Sequence, residues 1–538
     1  MNKLPPIPDL PEEEKTPVVK LLLAFIEQQQ QVILQQQEEI DNLKAEVARL
    51  KKLPPKPNIK PSKLPKDDDN DNPTGHSSNR SGKKGQQQKR RRKSKRTIHK
   101  SKIIQPDNLP QGSRFLGYQN FDVQDLLIQP NNTRYRLARY QTPDGNYCIG
   151  KLPASVAGKH FGQTLQSYIL YQYYHQRVTQ RLIKIQLEHW GIDISTGQIQ
   201  NILIDQKQAF HDEKNELLTA GLQHSRYIHV DDTGSRHQGR NGYCTHIGNE
   251  QFAWFASTPT KSRINFLQLL RGSSTDYVLG NEAFHYMIGE KLPKDPLLRL
   301  QAHADTVFYD EQQWQTFLSE QQISQERHIR IATEGALLGA LKAKGFPSDL
   351  VIMSDDAGQF DVLLHTLCWI HTDRVFLRLL PLNETHVKEL DWVHTQIWEI
   401  FSDLKQYKLN PNAVLKISIE SHFDELCQTQ TSYQSLNLAL RRLAKNKKEL
   451  LLVLERPDIP LHNNLSENDI REYVIKRKIS GTTRSENGRM CRDTFLSFIK
   501  TCFKQGISFW EFIVDRIANK NLIPLLPDLL AGKVCLIS

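Results

Sequence analysis

Two short apolar runs in this chain stop abruptly at paired aspartates: RYIHVDDTG, which holds Asp231 and Asp232, and DLVIMSDDAGQF, which holds Asp355 and Asp356. Short apolar runs rich in β-branched residues and bounded by turn formers read as buried strands, and such strands need a sheet covered on its faces. A carboxylate at the end of one is held at the rim of a core. Successive side chains on a strand point to opposite faces, so only one aspartate of each pair can join a common site. In the second pair Asp355 is favoured, because it directly follows the strand and Ser354, with Asp356 as the alternate. In the first pair the pattern leaves Asp231 and Asp232 both open, either one being a solvated strand end.

A third acid, Glu467 in HNNLSENDIR, opens an amphipathic helix trailed by Lys and Arg. Asn464-Leu-Ser-Glu467 also reads as a capping-box-like start, in which Glu467 would do no more than stabilise the helix N-terminus by roughly 1 kcal/mol. Taken with Asn463, Asn464 and the basic residues that follow, a catalytic role is the stronger expectation. Carboxylates brought together beside cationic side chains suit a two-magnesium site acting on nucleic-acid phosphates. The cations come in two groups: Arg471, Lys476, Arg477 and Lys478 on the helix, then Arg484, Arg489 and Arg492 beyond a Gly/Ser/Asn-rich turn. As phosphate contacts they would set affinity and salt dependence without reading sequence. The bland alternative is an exposed basic helix.

Length and charge agree with a modular, anion-binding protein. At 538 residues several units are expected, and a formal net charge of +11 with pI near 9.1 favours an anionic partner. No window approaches the roughly 20 apolar residues of a membrane span, and the acidic, Pro-broken start lacks a secretion pattern, so a cytoplasmic protein without membrane contact is expected. Seven scattered cysteines with no C-x-x-C pair suggest buried thiols. His365, Cys368 and His371 recur every three residues, but steps of three drift around a helix and no fourth ligand is evident, so packing is the stronger reading.

Along the chain, residues 17–52 carry a seven-residue beat, with Val19, Ile26, Ile33, Ile40 and Val47 at one position and Leu22, Gln29, Gln36, Leu43 and Leu50 three later. Such a seam predicts a parallel coiled coil and a homodimer; a lone amphipathic helix is the alternative. Residues 53–102 form a Pro-rich linker with no core, and its basic end, including Lys89, Arg90, Arg91 and Arg92, is a candidate DNA contact or a mere solvated charge run. Residues 103–220 contain a helix, a turn at Gly191 and a second helix starting near Ser195 or Thr196, a helix-turn-helix-like hairpin that would place Thr196, Gln198 and Gln200 near DNA. Residues 221–515 form a mixed α/β unit: a three-strand meander, a helix, then a fourth strand before Asp355, with a mostly helical insertion at about 275–345. Residues 516–538 are set apart as a C-terminal tail.

VDDTG, STPTKSR, SDDAGQF, CWIHTDRVF and HNNLSENDIREYVIKRKISGTTRSENGRM, with the heptad segment, linker and hairpin ahead of them, resemble the insertion sequence 66 family of DDE transposases. The resemblance implies a multidomain α+β protein with a ribonuclease H-like mixed α/β core in which the first and fourth strands lie side by side. It selects Asp231 over Asp232 and implies that Asp231, Asp355 and Glu467 ligate two Mg2+ ions, for which Mn2+ could substitute. Phosphoryl-transfer chemistry then makes Asp231 the bridge, with Asp355 on one ion and Glu467 on the other. His371 falls in the CW-x-H element, near DNA or metal. Double-stranded DNA, both transposon ends and target, is the implied partner, in a bacterial protein associated with the nucleoid. Relatives often carry a cysteine zinc module before the hairpin; only Cys148 lies there, so no structural zinc is expected. An inactive DNA-binding copy and another ribonuclease H-like nuclease are the competing functions.

Overall fold

The structure, a computed structural model, describes residues 98–107, 110–153 and 158–532, with the isolated positions 16, 19, 26 and 29 before them. Apart from those positions, the heptad segment at 17–52, the linker up to residue 97 and its cations Lys89, Arg90, Arg91 and Arg92 lie outside the described residues.

The first ordered hairpin is small: β1 (Arg139–Gln141) runs antiparallel to β2 (Tyr147–Ile149), and every side chain in it is exposed. Helices follow. α1 (Gln163–Leu170) continues into a π-helical turn, Tyr171–His175, and then come α2 (Gln180–His189), α3 (Thr196–Ile204) and α4 (Gln208–Gln223). Between α2 and α3, Gly191 takes φ +74°, which side-chain-bearing residues resist, and Ser195 forms a capping box with Gln198. Ile183, Leu187, Ile194 and Ile199 are buried in this hairpin, with Trp190 and Ile192 partly so.

Five strands then build one mixed sheet in the order β5-β4-β3-β8-β9. β3 (Tyr227–His237), β4 (Arg240–Gly248) and β5 (Ala253–Thr258) are an antiparallel meander, while β8 (Val351–Ser354) lies parallel to β3 and β9 (Leu364–Leu367) parallel to β8. β3 does not stop at its aspartates, as its sequence suggested. It runs on to His237, paired there with β4 and bridged at its end by Thr483, while its pairing with β8 ends at His229↔Met353. After α5 (Arg263–Arg271), the segment expected as an insertion holds a two-stranded ribbon, β6 (Tyr277–Val278) with β7 (Val307–Phe308), and the helices α6 (Asn281–Gly289), α7 (Lys294–Gln301), α8 (Glu311–Glu320) and α9 (Glu326–Ala343).

Strand alternation divides the sheet into two covered faces. Ile228, Val230, Ile247, Trp254 and Ile352 join the core shared with α4, α5 and α9. The opposite face carries His229, Cys244, His246 and Phe255 under α15 (Asn464–Ser480) and α16 (Glu486–Lys504). A second core packs the β8–β9 edge against α10 (Trp369–Leu377), α11 (Glu384–Leu409), α12 (Ala413–Gln428), α13 (Gln434–Lys445) and α14 (Lys447–Leu450). The described part of the segment set apart as a tail, residues 516–532, is packed too, in the end of α17 (Phe509–Ala518) and in α18 (Leu526–Leu530): Leu526 is fully buried and its N–H donates to Glu213, which also pairs with Arg516. Among the described residues no helix is long and apolar enough to cross a membrane.

Candidate functional site

The β3–β8 register explains how two distant aspartates meet. Carried two residues past its last pair, His229↔Met353, it brings Asp231 level with Asp355. Asp231 shares its face with His229, the face that α15 covers. Asn463, fully buried at the start of α15, accepts a hydrogen bond from His229 Nδ1–H through its amide oxygen at 2.9 Å and donates its amide N–H to the Val230 carbonyl at 2.7 Å. That clamp fixes the N-terminus of α15, and with it Glu467, over the end of the sheet. Ser466, Asp469, Ile470 and Tyr473 form the buried stripe beneath, at helical spacing.

Electrostatics report the outcome. Burial first, and the charge of Asp355 next, push the Asp231 carboxyl up to about 7, with Asp232 and Glu467 adding to the effect. Burial and these like charges disfavour the ionised form, so Asp231 keeps its proton to higher pH than an ordinary carboxyl. Asp232 points to the other face, where Gln359 donates to it at 2.6 Å and Lys261 lies 3.7 Å away; burial raises its pKa while Lys261 opposes. Asp356 is turned outward, held by Arg442 at 2.5 Å and Asn446 at 3.1 Å.

The helix starts at Asn464 with Asn463 as its N-cap, one residue earlier than the capping-box reading needs, so Glu467 is the fourth helical residue and no side chain caps this end. Its carboxylate accepts from Arg374 at 3.1 and 3.4 Å and lies 3.4 Å from His371 Nε2. Burial, and then Arg374, lower the His371 pKa, so the ring is neutral at pH 7 and Arg374 is the charged partner. Arg374 was missed in the sequence, although it stands three residues after His371 on α10, where i and i+3 share a face. Among the described residues no three His, Cys, Asp or Glu side chains stand close enough to hold a metal ion as they are. The donor set itself is all carboxylate oxygen, with Arg374 on Glu467 alone, which fits a hard divalent cation such as Mg2+.

The basic run divides in a way its density did not reveal. Arg471, Lys478 and Arg484 are exposed, Asn464 and Arg477 are half-buried, with Arg477 donating to the Gly234 carbonyl, and Arg489 pairs with Glu486 at 2.6 Å. Lys476 and Arg492 are buried, at 6% and 7% exposure, and Asn463 is internal scaffolding. These three lie inside the protein rather than on its surface. Of the histidine and cysteine series, His365 bonds Ser354 on the sheet at 2.7 Å and Cys368 is buried at the start of α10.

The fold and site thus define a mixed α/β protein with acids from two strands and a helix gathered at one sheet end. Residues 158–279 and 340–490 match the family described as Transposase IS66 family. The uncharacterized protein y4jO of Sinorhizobium fredii (strain NBRC 101917 / NGR234) is 41% identical over 320 residues, which span 59% of this chain and 100% of that relative. The chain belongs to the IS66 transposase family, whose members act on DNA. Divalent metal use is general among DDE-type transposases.

Proposed function

We propose that this chain is a DDE transposase with a ribonuclease H-like core, which binds transposon ends and catalyses Mg2+-dependent strand cleavage and strand transfer. The observation that supports this most is the Asp231 carboxyl, pushed up to about 7 by burial and by Asp355, with Glu467 contributing from a third element. A perturbed acid among acids marks a functional centre more often than a structural one. Asp231, Asp355 and Glu467 would hold the two Mg2+ ions. The bound ions would supply Lewis-acid stabilisation of charge on the scissile phosphate.

The chain's own residues do the positioning. Asn463 and His229 fix the start of α15, while Arg374 keeps Glu467 engaged until a cation replaces it. In the implied reaction water attacks a phosphorus at the transposon end and the P–O3′ bond breaks with O3′ taking a proton; the freed 3′ hydroxyl then attacks a phosphorus of target DNA, giving up its proton as the target's own P–O3′ bond breaks and that O3′ is protonated. Exposed Arg471, Lys478 and Arg484 would hold backbone phosphates, the α2–α3 hairpin would act as the helix-turn-helix, and residues 17–52 would pair two copies.

One observation favours a DNA-binding protein without cleavage: Glu467 is already paired with Arg374. A nicking assay on the DNA flanking the coding sequence separates the two. Wild type with Mg2+ is expected to cleave, and Asp231→Asn, Asp355→Asn and Glu467→Gln to lose on the order of 10³-fold in rate or more, with binding retained. Full activity in any one amide variant removes that residue from the site, and binding without cleavage by wild type favours the inactive protein.

A further inference from the structure

On α15, Lys476 follows Glu467 by nine residues, which places it on the opposite side of the helix and roughly 13 Å along it. There a cavity of about 220 Å³ opens between α15, α16 and the π-helical turn that follows α1. Four cationic side chains line the cavity, Arg177, Lys476, Arg492 and Lys500, against the one carboxylate of Glu472.

The two deepest cations lack counter-ions. Among the described residues neither Lys476 nor Arg492 forms an ion pair, though they are 6% and 7% exposed. Lys476 donates to the Tyr173 carbonyl at 2.8 Å and lies 3.8 Å over that ring, which leaves spare N–H donors. Arg492 sits 4.4 Å over the Tyr473 ring and donates to its hydroxyl, while its own Nε–H is buried without a partner. The nearby Asp493 carboxylate is turned to Ser257, accepting from its N–H at 2.8 Å and its hydroxyl at 3.0 Å. At the mouth, Arg177 pairs with Glu472, and Lys500 with Asp469 at 3.1 Å. Burial, then Arg492 and Arg177, push the Lys476 amine down to about 7. Desolvated cations set side by side oppose folding, and an anion between them removes that opposition.

We propose that this cavity is a phosphate site, in which a phosphate oxyanion enters past Arg177 and Glu472 and accepts hydrogen bonds from Lys476 and from the free Nε–H of Arg492. Guanidinium and ammonium donors converging in a closed space are the usual chemistry for that group. Its source is either free phosphate or the phosphodiester backbone of a nucleic acid. The site stands apart from the acids and does not depend on the cleavage reaction proposed above.

The full chain, titrated with inorganic phosphate in EDTA buffer against chloride at matched ionic strength, tests this by thermal shift. Phosphate is expected to raise the wild-type Tm beyond chloride. Lys476→Met and Arg492→Met should each weaken apparent affinity about tenfold or more, the loss of one hydrogen bond to a charged group. Glu472→Gln, which removes the opposing carboxylate, should tighten it, and Asp231→Asn should leave it unchanged. No stabilisation of wild type, or equal stabilisation of wild type and both cation variants, overturns the assignment. Should those variants fail to fold, Glu472→Gln decides alone: no gain in affinity overturns it. A ten-nucleotide single strand without terminal phosphate identifies the source, since displacement of phosphate points to the backbone diester and its persistence to free phosphate.

Discussion

A partly buried aspartate, Asp231, and a buried one, Asp469, lie on either side of His246, and their pKa values move in opposite directions. His246 faces Asp231 across the β3–β4 pairing and touches Asp469 at 3.2 Å on its other side. Asp469 is 4% exposed and also meets Lys504 at 2.7 Å and Lys500 at 3.1 Å. Burial alone would raise its pKa, but Lys504, His246 and Lys500 hold it well below the usual carboxylate range. Asp231 is partly buried among Asp355, Asp232 and Glu467, and goes the other way. An acid neutralised within the chain is part of the scaffold. One surrounded by its own kind is stable as an anion only when a cation arrives from outside.

The largest consequence concerns Asp469. Asp469→Asn strands buried Lys504 beside Lys500 and should cost about 3–5 kcal/mol in urea denaturation. Because its folded pKa is depressed, its contribution is present above about pH 4, the unfolded value, and disappears as pH falls further. A loss below about 1 kcal/mol would erase the distinction between the two acids.

Asp231→Asn should do the opposite. The folded state keeps a proton that the unfolded chain releases above its ordinary pKa of 3.8, so wild-type stability declines as pH rises from about 4 to about 7. Without divalent ions the asparagine variant should therefore gain on wild type across that window, reaching roughly 2–4 kcal/mol above pH 7. Mg2+ should raise the wild-type Tm and raise that of the variant far less. Parallel pH profiles for the two proteins, by differential scanning calorimetry in EDTA, would show that Asp231 is not strained by its neighbours.

The sequence carried the local half of this arrangement. The strand carrying Asp231, the strand before Asp355, the helix carrying Glu467 and the Ser195 cap follow from periodicity and turn chemistry within ten or so residues, although β3 runs past its aspartates to His237. Contacts across hundreds of residues were not legible. Lys476 and Arg492 read as part of an exposed basic stretch, because their burial depends on Tyr173 and the π-helical turn, far earlier in the chain. Asp356 is excluded by Arg442, and Glu467 is held by Arg374, both tertiary partners without a local signature. Packing of α17 and α18 onto Glu213 likewise has no mark in the composition of the last residues.

Arg374 gives the smallest and sharpest test. Its pair with Glu467 is partly exposed, 39% and 24%, so breaking it with Arg374→Met should change stability by no more than about 1 kcal/mol. Metal response is another matter. The guanidinium occupies the oxygens that a divalent ion needs, and His371, neutral at pH 7, is no substitute for its charge. The variant should therefore reach half its Mg2+-induced Tm shift at a concentration a few-fold lower than wild type, while Glu467→Gln should need more. If Arg374→Met instead needs more Mg2+, the arginine orients Glu467 rather than competing for it. The acids around Asp231 would then be held ready by the chain itself, in the manner of Asp469.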